Sequence, residues 1–356
     1  MPTSLRYDPE YLAWRSAQNL GPPPRFANVF DLREYVNRRM TAVHAQYPLH
    51  SRVEQKHYSV TSYDGAQISV VRFATASHYD QDSAQPAIVY GFGGGTVSGS
   101  VQIFAPEIAD YVAESGVQFF AVGYRLAPEH PAPTAVEDFF AAVKWLSECA
   151  KELSVDAERI GVMGNSAGGG IAAGAALLAR DRKLLPQVAK QILIYPMLDD
   201  RSLSRVTSDS PLTPFLTWNW EESHLCWVAY LGETRTANPE EDVSPYAVPA
   251  RHKSLAGLPS TYIDIGNLDL FRDEVMDYVA RMAAENIDVE FHLIPGVPHT
   301  FDYAFSTSKV REAKRARVKA LQSFWGLPAW RISQKRPLKG PHSHPYLGLV
   351  AGKKYR

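Results

Sequence analysis

The sequence has little sulfur chemistry to offer: two cysteines, Cys149 and Cys226, in 356 residues. Two thiols build neither a disulfide framework nor a four-ligand structural zinc site, and they read as reduced, buried groups. No run of about 18 apolar residues occurs, so no spanning helix is expected. The first residues, Met1-Pro2-Thr3-Ser4-Leu5-Arg6-Tyr7-Asp8, are charged and proline-bearing, unlike a secretory signal. The last four, Lys353 to Arg356, form no prenylation, ER-retention or peroxisomal signal. Neither charge dominates: 37 Lys and Arg face 38 Asp and Glu, a net of −1. That balance gives no pull toward nucleic acid or an anionic membrane. No segment repeats with a period of roughly 20–50 residues, which excludes solenoids and propellers. These absences lead to the expectation of a cytoplasmic globular protein.

What is present is a change of period along the chain. Residues 1 to 50 read as helices and loops, interrupted at Pro22-Pro23-Pro24. Tyr58 to Tyr63 alternates, Asp64-Gly65 turns, and Ile68 to Phe73 alternates again, the pattern of a β-hairpin. Beyond residue 86, short apolar runs alternate with helical stretches. The strand candidates are 87–90, 118–122, 160–163, 191–195, 261–265 and 289–293. Helical patterns fall near 105–115, 135–150, 168–181, 273–285 and 309–324. Continuous apolar strands joined by crossover helices predict an α/β protein with a mostly parallel sheet flanked by helices. Residues 198 to 250 interrupt this with Phe215, Trp218, Trp220, Trp227 and Tyr230, too long for a plain loop, and are expected to form an inserted helical lid. After Trp330 the chain carries basic residues and no acid, which predicts a flexible tail.

The strongest chemical signal is Gly164-Asn165-Ser166-Ala167-Gly168, between a strand and a helix. A G-x-S-x-G in that context is a nucleophile elbow, which projects the serine hydroxyl at the positive end of a helix. A serine needs a base, and in this arrangement the acid and then the histidine follow it in the chain. Of 11 histidines, His299 is the one in a loop just past the last strand candidate and outside the tail. Asp269 follows the preceding strand and is the expected orienting acid, with Asp264 and Asp273 as structural alternatives. Gly91-Phe92-Gly93-Gly94-Gly95 follows the first parallel strand. It breaks the dinucleotide pattern at Thr96 and lacks a P-loop lysine, so it reads as an oxyanion loop. The amides of Gly93, Gly94 and Ala167 are its expected donors.

Together these residues resemble the hormone-sensitive lipase-like family of α/β-hydrolases over residues 55 to 325. The resemblance extends to Tyr124-Arg125-Leu126-Ala127-Pro128-Glu129-His130-Pro131, to Leu268–Glu274 and to Asp242-Val243-Ser244-Pro245. It implies a carboxylic-ester hydrolase with a Ser166–Asp269–His299 triad and no metal or organic cofactor. It also implies a core of residues 51–197 and 256–329 under a cap of 1–50 and 198–255, with 330–356 as the tail. Phe92 stands where the family has a histidine, Asn165 where it has an acid, and Thr300 where it has a glycine. Phe92, Asn165, Phe215 and Trp218 are the expected substrate contacts. The expected partner is a small-molecule ester of short or medium acyl chain, with no nucleic acid and no integral membrane segment. A homodimer through the edge of the last strand stays open, as do acyl transfer and lactone, carbamate or formamide hydrolysis. Gibberellin receptors resemble the same family and lack its histidine, so His299 argues against a purely binding role.

Overall fold

The computed structural model describes residues 4–18, 24–79, 84–204, 209–236, 238 and 242–324. The tail expected after residue 330 lies outside the described residues. Eight strands form one sheet: β1 (Glu54–Thr61), β2 (Gln67–Ala74), β3 (Gln85–Gly91), β4 (Gln118–Gly123), β5 (Val155–Asn165), β6 (Lys190–Ile194), β7 (Ser260–Gly266) and β8 (Val289–Ile294). Their spatial order is β1-β2-β4-β3-β5-β6-β7-β8. The β1–β2 and β2–β4 pairs are antiparallel and all later pairs are parallel. The sheet is therefore the mostly parallel one that the alternation of strands and helices predicts.

The central strands are buried on both faces. Ile88, Val89 and Tyr90 of β3 and Phe119 to Val122 of β4 have no exposed surface. Burial of each such side chain contributes on the order of 1.5–3 kcal/mol. Strand β5 runs five residues earlier than its apolar run suggests. Val155 pairs with Gln85 ahead of a register shift, and the polar residues between Asp156 and Arg159 hide that extension from the hydrophobic pattern.

Helices α1 (Pro9–Ala17) and α2 (Val29–His44) precede the sheet, and α3 (Val101–Ser115), α4 (Thr134–Glu148), α5 (Ala167–Asp181), α6 (Trp220–Leu231), α7 (Arg272–Ala284) and α8 (Ser308–Gln322) follow in order. Helix α3 packs on α8, α4 packs on α5, and each pair also contacts the sheet. Between β6 and β7 the one α-helix among the described residues is α6, where Asn219 and Glu222 form a reciprocal capping box. Asp273, one of the two alternatives to Asp269, lies inside the first turn of α7 and pairs with Arg272 at 2.7 Å. The carboxylate that receives a backbone amide ahead of that helix is Asp269, whose Oδ1 accepts from Phe271 N at 2.9 Å. No described helix is long and apolar enough to cross a membrane.

Candidate active site

Strand β5 ends at Asn165 and α5 begins at Ala167, which leaves Ser166 alone to make the turn. Its φ of 53° and ψ of −119° lie where side-chain-bearing residues are strained. Three backbone bonds hold it there: Ser166 N donates to Ile194 O at 2.8 Å, and Ser166 O accepts from Met197 N and Gly170 N at 3.0 and 3.1 Å. The flanking glycines are required by space. A Cβ on Gly164 would sit 2.2 Å from Gly168 O, and one on Gly168 would sit 2.2 Å from Gly91 O.

His299 reaches the same place from the loop after β8. Its Nε2 lies 3.0 Å from Ser166 Oγ, and its Nδ1 lies 2.7 Å from Asp269 Oδ2. That pairing assigns the proton to Nδ1, leaving Nε2 to accept from the serine. Asp269 is fully buried, His299 is 3% exposed and Ser166 is 8% exposed. The imidazole is fixed further by edge contacts with Tyr195 and Phe271, centroids 4.9 and 5.0 Å away. Thr217 Oγ1 donates to His299 O at 2.7 Å, tying the segment before α6 to the histidine loop. Asp264, the alternative acid, pairs instead with the buried Arg317 at 2.7 and 2.9 Å.

The glycine loop passes against the serine. A Cβ on Gly93 would lie 3.5 Å from Ser166 Cβ. Gly94 takes φ 131° so that its carbonyl accepts from Val97 N and Ser98 N, folding the loop back on itself. The amides of Gly93, Gly94 and Ala167 have no acceptor among the described residues.

A pocket opens over Ser166. Tyr35, Val36, Arg39 and Met40 of α2 form one wall, and Thr217, Trp218 and Glu222 another. The glycine loop, Asn165, Ser166 and His299 form its floor. Of the expected site residues, Ser166, His299, Gly93, Gly94, Asn165 and Trp218 line it, while Ala167 follows the serine and Asp269 lies behind the imidazole. Two expected substrate contacts are elsewhere. Phe92 is buried beneath the loop, stacked on Tyr124 at 4.2 Å, and Tyr124 OH donates to its carbonyl at 2.6 Å. The loop turns its carbonyl and ring into the core, so Phe92 supports the loop rather than facing the pocket. Phe215 packs on Tyr7 at 5.1 Å and is not among the lining residues. Tyr7 OH also donates to Phe215 O, which joins the N-terminal segment to the stretch before α6.

Sequence reasoning missed several pocket residues: Arg39, Glu107, Thr217, Glu222 and Asp302. The capping-box spacing of Asn219 and Glu222 was readable, but not that Glu222 faces the pocket. Burial holds the Glu222 carboxyl above its ordinary range, opposed by the Asn219 amide and by Arg39. At the deep end, His44 Nε2 and Asn165 Nδ2 each lie 3.2 Å from a different oxygen of Glu107. Burial disfavours the charged form of His44, yet its bonds to Glu107 raise it above the usual histidine range.

A profile of the family described as alpha/beta hydrolase fold matches residues 88–303. Esterase LipI of Mycobacterium tuberculosis is 34% identical over 245 residues, 68% of this chain and 74% of that protein. Ethyl acetate hydrolase of Pseudomonas putida is 29% identical, covering 74% of this chain and 80% of its own length. Among solved structures, a bacterial heroin esterase superposes with a TM-score of 0.80 at 31% identity, covering 89% of this chain and 98% of that one.

Proposed function

The chain belongs to the hormone-sensitive lipase-like family within the alpha/beta hydrolases, and from that premise we propose that Ser166, His299 and Asp269 cleave carboxylic esters through an acyl-enzyme. The activity class is carboxylic ester hydrolysis. The observation that carries the finer reading is the unbroken relay from Ser166 Oγ through His299 to Asp269, at 3.0 and 2.7 Å, opening onto a pocket.

In this reading His299 Nε2 takes the Ser166 proton as Oγ attacks the ester carbonyl. Asp269 holds the tautomer and stabilises the imidazolium without itself becoming protonated. The oxyanion develops toward the amides of Gly93, Gly94 and Ala167 at the N-terminus of α5. Collapse expels the alcohol, which takes the proton from His299. Water, deprotonated by the same imidazole, then attacks the acyl-enzyme and releases the acid. The acyl chain in this reading is small or medium, and the name of the ethyl acetate hydrolase relative supports it.

Rapid quenching during turnover of p-nitrophenyl acetate, followed by peptide mass spectrometry, tests the acyl-enzyme. The expected result is an acetyl group on the peptide bearing Ser166 and absent from Ser166→Ala. An acetyl group on another residue, or turnover with none trapped under conditions that trap it in a related esterase, would overturn the reading.

A further inference from the structure

We infer that the deep end of the pocket binds a hydroxyl group of the substrate through the Asp302 carboxyl, making hydroxyl-bearing esters the preferred class. The inference rests on the esterase reading above and concerns which ester is chosen. Asp302 lines the pocket and is 5% exposed. Its Oδ2 accepts from Tyr195 OH and from Arg317, both at 2.8 Å. Its Oδ1 is buried and has no hydrogen-bond partner among the described residues. Buried polar atoms are rarely left unmatched, and an unmatched one on a residue that lines a substrate pocket points to a partner on the substrate.

The surroundings separate Asp302 from its neighbours. Glu107 lines the same end, but both of its oxygens are matched, by His44 and Asn165. Met40 and Phe104 supply apolar wall between the polar groups. Asn165, next to the nucleophile, lies 3.5 Å from Tyr195 OH, which in turn bonds to Asp302. The Asp302 carboxyl is thus two hydrogen bonds from the residue beside Ser166.

A hydroxyl fits this position better than its competitors. Burial raises the Asp302 carboxyl, the Arg317 guanidinium lowers it, and Glu107 raises it again. A hydroxyl both donates and accepts, so it pairs with either protonation state. An ammonium only donates, so it matches the carboxylate but leaves the O–H of the neutral acid unpaired, and a methyl pairs with neither.

The test compares kcat/KM for p-nitrophenyl hexanoate and heptanoate, unsubstituted or with a terminal hydroxyl or ammonium, and for acetates of alcohols with the same three ends. At one arm length the hydroxyl ester should exceed the unsubstituted one by roughly 10- to 100-fold. Asp302→Ala should bring that ratio close to unity, while Asp302→Asn, which keeps a donor and an acceptor, should retain most of it. If Asp302→Ala does not fold, the wild-type ratio and the Asn variant decide. Unsubstituted esters being fastest throughout, a hydroxyl preference surviving in Asp302→Ala, or an ammonium preference abolished in Asp302→Asn would each overturn the inference. Those results leave the esterase reading intact. No cleavage of any ester, together with no fluorophosphonate label on Ser166, would overturn that reading itself.

Discussion

At the scale of single residues, the account places each catalytic task on one atom. His299→Ala removes the imidazole that lies within hydrogen-bond reach of Ser166 Oγ and takes its proton, so kcat should fall on the order of a million-fold. Asp269→Asn keeps the shape but presents an amide N–H to Nδ1, turning the imidazole to the wrong tautomer. Steady-state kinetics should show about a 10⁴-fold lower kcat with KM little changed. A loss below tenfold would mean that another group orients His299. The residues offered for these tasks were legible because chain order and strand-end position restrict the choice. The strand, glycine and serine order marks the elbow, and His299 is the loop histidine beyond the last strand. Phe92 was misjudged because a residue beside an oxyanion loop looks like pocket, whereas the positive φ of Gly94 and the stack on Tyr124 turn it inward. Asp302 left no signal, since nothing in the sequence tells a carboxylate in the Arg317 network from one on the surface.

At the scale of elements, α6 and the segment before it connect the pocket wall to the histidine. Asn219 caps α6 through its side chain at 3.0 Å to Glu222 N, and Thr217 bonds to the His299 carbonyl. Asn219→Ala should lower stability by about 1 kcal/mol in denaturant titration. Because Trp218 and Glu222 flank that cap, KM for ester substrates should rise more than kcat falls. An unchanged KM with full loss of the cap energy would separate α6 from substrate binding. The strands and crossover helices followed from apolar runs and periodicity, which is why the mostly parallel sheet was readable. The polar start of β5 was not, because its pairing with β3 depends on backbone bonds that no hydrophobic pattern encodes. The stretch 198–250 was readable as an interruption, but the placement of Thr217, Trp218 and Glu222 at the pocket goes with long-range contacts such as Tyr7 with Phe215, which no local pattern encodes.

At the scale of the whole molecule, buried carboxylates join distant segments and carry a pH signature. Glu274 of α7 is 1% exposed, and its Oε1 accepts from Leu198 N and Asp199 N at 2.6 and 3.2 Å. Burial holds this carboxyl well above its ordinary range. The folded chain therefore binds this proton more tightly than the unfolded chain. The stabilisation is full below the ordinary carboxylate value, about 4.3, and is lost as pH rises toward the elevated one. Glu274→Gln keeps the Oε1 acceptor and does not titrate. Its melting temperature relative to wild type should increase steadily as pH rises above the ordinary carboxylate range. A constant or shrinking difference would show that Glu274 ionises in the folded state at little cost.

The central claim is that Ser166 is the nucleophile of an ester hydrolase. Hydrolysis of p-nitrophenyl esters from acetate to decanoate by wild type and Ser166→Ala tests it most directly. The account predicts wild-type turnover, greatest for the shorter acyl chains, that falls to the uncatalysed background in a folded Ser166→Ala protein. Turnover retained in that variant would contradict it.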